Sequence, residues 1–172
     1  MELKISTENG LVEGKAENGA RVWKGIPYAA SYTGKHRFQS AVPAESWEGV
    51  LKTTEFSPAA PQLPKKLGGI TETVPICEKS LSINIWAPEH TVRKKPVMVW
   101  IYGGAFVSGD GSIDTYYGGK LARYEDLIVV NFNYRLGAFG FLDFSSVLPG
   151  AESNIGLKDQ LLALKWICLC IT

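Results

Sequence analysis

Val97-Met98-Val99-Trp100-Ile101 is an unbroken apolar run that delivers the chain, through Tyr102, into Gly103-Gly104-Ala105. Residues this small, placed just beyond a buried strand, let a backbone approach a ligand closely and take up positive φ. Backbone N–H groups aimed at one point stabilise a developing oxyanion, and losing one such donor costs about 3 kcal/mol of transition-state stabilisation. A Gly-Gly pair at a strand end is equally the mark of a plain turn. By itself the tripeptide fits either reading.

Such a loop needs a scaffold, and the surrounding residues predict one. Val97–Ile101 reads as a strand covered on both faces, and Leu127–Phe132 reads the same way. Between them Tyr116–Tyr124 can form a short helix after the polar turn Gly109-Asp110-Gly111-Ser112. Strand, helical crossover, strand is the βαβ pattern, which places the two strands parallel in one sheet. Leu81–Ala87 alternates apolar with polar side chains, as a half-exposed strand ending at Pro88 would. Toward the N-terminus, Asn9-Gly10 and Asn18-Gly19 separate the β-prone runs Leu3–Thr7, Leu11–Ala16 and Ala20–Ile26. Asn-Gly supplies the positive φ angles of a tight hairpin, so a three-stranded meander follows.

Residues 27–80 carry Pro27, Pro43, Pro58, Pro61, Pro64 and Pro75, a spacing that forbids long helices and predicts surface loops. Their aromatics (Tyr28, Tyr32, Phe38, Trp47 and Phe56) imply that these loops pack onto something. The last element is a helix starting near Asn154, capped by Asn154 or Ser153. Leu157, Leu161, Leu164 and Cys168 fall on one of its faces, with Lys158, Asp159 and Lys165 pointing elsewhere. Beyond Trp166 the residues Ile167-Cys168-Leu169-Cys170-Ile171 are apolar all round.

The bulk properties bound what this scaffold serves. The chain has 172 residues, 45% hydrophobic and 20% charged, which is enough for one globular core and excludes a low-complexity chain. A formal net charge of +1 leaves no electrostatic footprint for nucleic acid. The basic pairs Lys65-Lys66 and Lys94-Lys95 each sit beside a proline and read as solvated loops. No apolar stretch approaches a membrane span, and the N-terminus lacks an apolar signal core, so a cytoplasmic protein is expected. Cys77, Cys168 and Cys170 are an odd set, for which neither disulfides nor a zinc site is expected.

Several blocks, taken in order, resemble the type B carboxylesterases, the family of bacterial para-nitrobenzyl esterases and cholinesterases. They are Trp23-Lys24-Gly25-Ile26-Pro27-Tyr28-Ala29, Arg37-Phe38, Phe56-Ser57-Pro58-Ala59-Ala60-Pro61-Gln62, and Leu81-Ser82-Ile83-Asn84-Ile85-Trp86-Ala87-Pro88. Further along come Val99-Trp100-Ile101-Tyr102-Gly103-Gly104-Ala105-Phe106, Asn133-Tyr134-Arg135-Leu136-Gly137, and the run from Gly156 to Trp166. The resemblance covers about residues 2–166, with 167–172 as a divergent tail, and implies residues 1–172 as part of a carboxylesterase domain. The implied fold is α/β: the N-terminal part of an α/β-hydrolase fold, a small antiparallel meander followed by the leading strands of a mixed central sheet.

The implied activity is hydrolysis of small-molecule carboxylic esters by a serine nucleophile, with a histidine as its base, an acid orienting that histidine, and no cofactor. The resemblance assigns the N–H groups of Gly104 and Ala105 to the oxyanion hole and puts Tyr102 and Phe106 near the gorge leading to it. The nucleophile elbow G-x-S-x-G is not among these residues, since Ser108 follows Phe106 by two and Ser112 follows Asp110 by two. Neither His36 nor His90 matches the family's catalytic histidine. The expectation is therefore a truncated or frame-shifted product, inactive by itself and prone to aggregate through uncovered strand edges. A noncatalytic esterase-like binding module is the alternative. The resemblance also implies two ion pairs, Arg37 with Glu78 and Arg135 with an acid near Asp159. Ser80 stands where secreted relatives have a disulfide cysteine, so that bridge cannot form.

Overall fold

The second Asn-Gly turn folds as the sequence requires, with Asn18 at φ 53° and Gly19 at φ 76°. In the first, Gly10 (φ 147°) already pairs with Thr7, so Glu8-Asn9 makes the turn. In the computed structural model, which describes residues 2–63, 66–67, 70–71, 75–90 and 93–171, strand β1 (Lys4–Thr7) pairs antiparallel with β2 (Gly10–Glu13). Strand β3 (Lys15–Glu17) pairs antiparallel with β4 (Ala20–Pro27). The middle run of the expected meander is thus divided, and its two halves belong to different sheets. The divider is Gly14, where a methyl group would lie 2.3 Å from the Val22 carbonyl oxygen. Only glycine lets the chain cross over β4 this closely.

The sheet of β1 and β2 gains a third, parallel strand, β5 (Val50–Lys52), inside the segment expected to be loop. The same segment holds a short antiparallel pair, β6 (Lys66–Leu67) and β7 (Ile70–Thr71). The main sheet runs β3-β4-β8-β10-β9, with β8 at Ser82–Pro88, β9 at Val97–Trp100 and β10 at Ile128–Phe132. Among the described residues its one parallel pair is β9 with β10, as the βαβ pattern implies; the other pairings are antiparallel. The architecture is that of the leading part of an α/β-hydrolase fold.

Two expectations about burial change places. Strand β8, read as half-exposed, is buried along its whole length. Strand β9, read as covered, pairs with β10 alone among the described residues; its last residue, Trp100, is 44% exposed, and Ile101, the residue after it, is 43% exposed. Strand β8 lies at the centre of the sheet with a helix on each side. Helix α1 (Gly119–Glu125) covers the Val22–Trp86–Val129 face, and α3 (Ile155–Ile171) covers the face of Ile83, Ile85, Val130 and Phe132. Helix α1 begins three residues later than expected because Asp114–Tyr116 forms a separate 3-10 turn. A short helix not anticipated, α2 (Gly137–Phe141), precedes α3 and is crossed by it at Gly156, where a methyl would lie 2.4 Å from the Phe141 ring.

Helix α3 starts where expected but presents the opposite face. Ile155, Gly156, Asp159, Ala163, Trp166 and Ile167 are buried, while Leu157, Leu161 and Cys168 face solvent. The rotation follows from polar anchors. Asp159 accepts from the backbone N–H of Arg135 at 3.1 Å, from its Nε at 2.7 Å and from a terminal guanidinium nitrogen at 2.5 Å. Both side chains are fully buried. Trp166 Nε1 donates to Asn9 Oδ1 at 2.9 Å, fixing the far end. The apolar tail is put to use as well: Ile167 is buried, and Cys170 and Ile171 pack against the core.

Before α3, Glu152 accepts from Lys158 Nζ at 2.5 Å, from Ser40 Oγ at 2.6 Å and from the Ser40 amide at 3.1 Å. The ammonium and then the serine donors depress its carboxyl to about 2. Stability from this group is complete above the ordinary carboxyl value of 4.5 and is lost as pH falls from there toward about 2. In urea unfolding from pH 6 downward, the midpoint gap between the chain and its Glu152→Gln variant is expected to close across that window. Removing the buried acid should be far more damaging. Asp159→Ala leaves a guanidinium without its counter-charge, and a loss of about 3–5 kcal/mol is expected in the same assay.

Candidate active site

Past β9 the chain leaves the sheet edge and folds back on itself between Gly103 and Gly109. Gly104 lies at φ 141°, Ala105 at 53° and Phe106 at 62°. Two successive non-glycine residues in the left-handed region are costly, about 1–2 kcal/mol each, and such conformations concentrate at functional sites. The bend is closed by its own backbone, since the amides of Val107 and Ser108 donate to the Gly104 carbonyl at 3.0 and 3.2 Å. A methyl on Gly104 would sit 1.8 Å from the Ser108 carbonyl oxygen, so only glycine fits there. Among the described residues, the N–H groups of Gly104, Ala105 and Phe106 have no protein acceptor. Gly104 is half-buried and Ala105 is exposed.

The loop is held at three places. At its entrance Tyr102 is buried and stacks on Tyr134, with ring centroids 4.8 Å apart. Tyr134 Oη donates to the Tyr102 carbonyl at 3.0 Å. Burial raises both phenols, so they stay protonated and remain donors. At its crest the Gly137 amide donates to the Phe106 carbonyl at 2.7 Å, and the Phe106 ring lies 4.6 Å from that of Phe141. At its exit Gln62 bonds both polar groups of the Gly109 backbone, each at 2.9 Å.

Behind the exit lies a buried amide network that the sequence reading missed. Asn84 donates to Asn131 Oδ1 at 2.8 Å, Asn131 donates to the Gly111 carbonyl at 3.0 Å, and the Gly111 amide donates to Asn133 Oδ1 at 2.8 Å. Asn84 Oδ1 also accepts from the Gly25 amide at 2.9 Å, where β4 bulges. The signal was present: two asparagines in an otherwise apolar run (Val129-Val130-Asn131-Phe132-Asn133) need partners if the run is buried.

A cavity of about 710 Å³ borders the loop at Val107 and Ser108, and its other walls include Leu63, Ile76, Ala138 and Phe139. The expected residues divide around this geometry. Gly104 and Ala105 form the bend and Phe106 its exposed crest, but Tyr102 belongs to the core. His36 bonds Gln39 at 3.1 Å and lines a different cavity, together with Ala29 and Tyr32; His90 lies exposed beyond β8. Ser112 Oγ donates to Asp110 Oδ1, and Ser108 contributes to the bend through its backbone. The expected Arg37–Glu78 pair is present, Nε to Oε1 at 2.5 Å and a terminal nitrogen to Oε2 at 3.2 Å. Arg135–Asp159 is present as well, deep in the core. Ser80 is buried against Tyr32, their hydroxyl oxygens 3.3 Å apart, and burial pushes that phenol up to about 12.

The sequence profile described as the carboxylesterase family matches residues 1–172. The chain belongs to the carboxylesterase family. Para-nitrobenzyl esterase of Bacillus subtilis is 46% identical over 164 residues, which is 95% of this chain and 34% of that protein. Acetylcholinesterase of Bungarus fasciatus is 39% identical over 177 residues, 96% of this chain and 29% of the relative. A solved PNB esterase superimposes with a TM-score of 0.93 at 44% identity, covering 99% of this chain and 36% of that one. The carboxylesterase of Geobacillus stearothermophilus gives 0.88 at 37% identity, covering 99% and 34%. The chain thus spans about a third of the length of the relatives it matches. Among the described residues no helix is long and apolar enough to cross a membrane.

Gly104→Ala is expected to force the bend open, with a loss of about 2 kcal/mol in urea unfolding from the close contact it creates. Loss of the slowed exchange of the Val107 and Ser108 amides should accompany it.

Proposed function

We propose that residues 1–172 supply the oxyanion-binding part of a serine carboxylic-ester hydrolase, with the N–H groups of Gly104 and Ala105 as two of its donors. The observation that carries this reading is the strained bend whose leading amides lack protein acceptors, held from three sides at the end of a sheet strand. A fold that holds amides in this state gains nothing for its own hydrogen bonding. It gains a place where a tetrahedral intermediate can leave its negative oxygen.

In the reaction a serine hydroxyl attacks the ester carbonyl while a histidine removes its proton, and the carbonyl oxygen becomes the alkoxide that these amides receive. Collapse expels the alcohol, which takes the proton from the histidine, and water repeats the sequence on the acyl-enzyme to release the acid. No step needs a cofactor. Residues 1–172 contain no G-x-S-x-G, and neither histidine lines the cavity beside the loop, so the nucleophile and base come from outside these residues. The 172-residue chain alone is therefore inactive. The cavity wall of Leu63, Ile76, Val107, Ala138 and Phe139 carries no charge and suits an apolar ester substituent. The names of two relatives, para-nitrobenzyl esterase and acetylcholinesterase, agree with ester substrates.

The test joins residues 1–172 to the remaining two-thirds of the Bacillus subtilis para-nitrobenzyl esterase and supplies a para-nitrobenzyl ester. Turnover abolished by a serine-reactive phosphonate is expected from the joined protein, and none from the chain alone. A joined protein that folds and does not turn over would sink the proposal, as would phosphonate-sensitive turnover by the chain alone.

A further inference from the structure

Gln62 comes from the proline-spaced segment, far in sequence from the loop it touches. Its carboxamide Nε2 donates to the Gly109 carbonyl at 2.9 Å, and its Oε1 accepts from the Gly109 amide at 2.9 Å. The same nitrogen donates to the Ala60 carbonyl at 3.2 Å. Both side-chain N–H groups and the oxygen are therefore engaged, which leaves the amide one orientation. One side chain gives Gly109 the pair of bonds that a neighbouring strand would give.

Gly109 transmits this grip to the site. It is buried at φ 121°, and a methyl on it would lie 2.7 Å from the Tyr102 ring and 3.0 Å from the Gly103 carbonyl oxygen. The residue that ends the bend thus rests against the residues that begin it. Its predecessor, Ser108, both donates to the Gly104 carbonyl and blocks the space beside Gly104. A displacement at Gly109 must pass through Ser108 to Gly104 and Ala105. Because Ala105 and Phe106 are left-handed, the bend will relax unless it is held from outside.

We propose that Gln62 is a positioning residue: by clamping the Gly109 backbone it fixes the Gly104–Ser108 bend and the direction of the Gly104 and Ala105 amides. Its value for catalysis rests on the oxyanion reading, while its grip on the loop does not. The test is amide exchange by NMR on the 172-residue chain, which needs no turnover and so fails independently of the ester-hydrolase proposal. Gln62→Met keeps the length of the side chain and removes all three hydrogen bonds. About tenfold faster exchange is expected at Val107 and Ser108, with the amides of β8 and β10 unchanged. Gln62→Glu keeps an acceptor for the Gly109 amide but loses the donors, and a smaller acceleration confined to the same two amides is expected. Unchanged exchange at Val107 and Ser108 in either variant overturns the proposal. So does acceleration shared equally with β8 and β10, or failure of both variants to fold, because each marks Gln62 as a general support of the core.

Discussion

An arginine with no exposed surface must find acceptors inside the protein, and Arg135 organises this molecule by doing so. Its guanidinium bonds Asp159 on α3 and the backbone carbonyls of Arg37 and Gln39, and it lies 4.7 Å from the centre of the Tyr32 ring. One side chain thereby ties together the strand-end segment after β10, the last helix and the proline-spaced loops. Burial pushes the Asp159 carboxyl upward against the pull of the guanidinium. Such a pair is a weak source of net stability but a strong selector of arrangement, since any other rotation of α3 would bury the arginine without its partner.

The same segment supports the candidate site. Tyr134, next to Arg135, stacks under the loop entrance, and Gly137, two residues on, donates to its crest. Asn133, one residue before Tyr134, carries the amide of Gly111. The arginine that seats α3 thus fixes the backbone on which the loop rests. Core and site are two sides of one stretch of chain, so damage to the ion pair should be felt at the amides as well as in the unfolding midpoint.

Much of this could be read from the residues. Asn18-Gly19 specified its hairpin because few other dipeptides tolerate its φ angles, whereas the first hairpin turns one residue early, at Glu8-Asn9. The apolar runs at β9 and β10 with a helix-sized spacer specified the parallel pair. Gly103-Gly104-Ala105 by itself fitted a plain turn as well as an anion-binding loop, and only the family resemblance singled out Gly104 and Ala105. Burial was harder to read, because polarity was taken as a proxy for solvent. Ser82 and Asn84 alternate with isoleucines in β8, yet the polar face meets Ser57, Gly25 and Asn131 in place of water. In α3 the leucines suggested the inner face, but the helix is turned by Asp159, whose partner lies 24 residues away. Gln62 could not be located as a clamp from its neighbours in sequence, because its role depends entirely on Gly109, 47 residues later.

The consecutive left-handed residues at Ala105 and Phe106 carry a consequence of their own. Over two residues the backbone has the handedness natural to mirror-image amino acids, while both side chains remain of the ordinary kind. A D-alanine introduced by chemical synthesis would occupy the first of these positions without the steric penalty its L counterpart bears. The curvature of this bend is therefore a property that a short heterochiral peptide could reproduce more readily than any genetically encoded one.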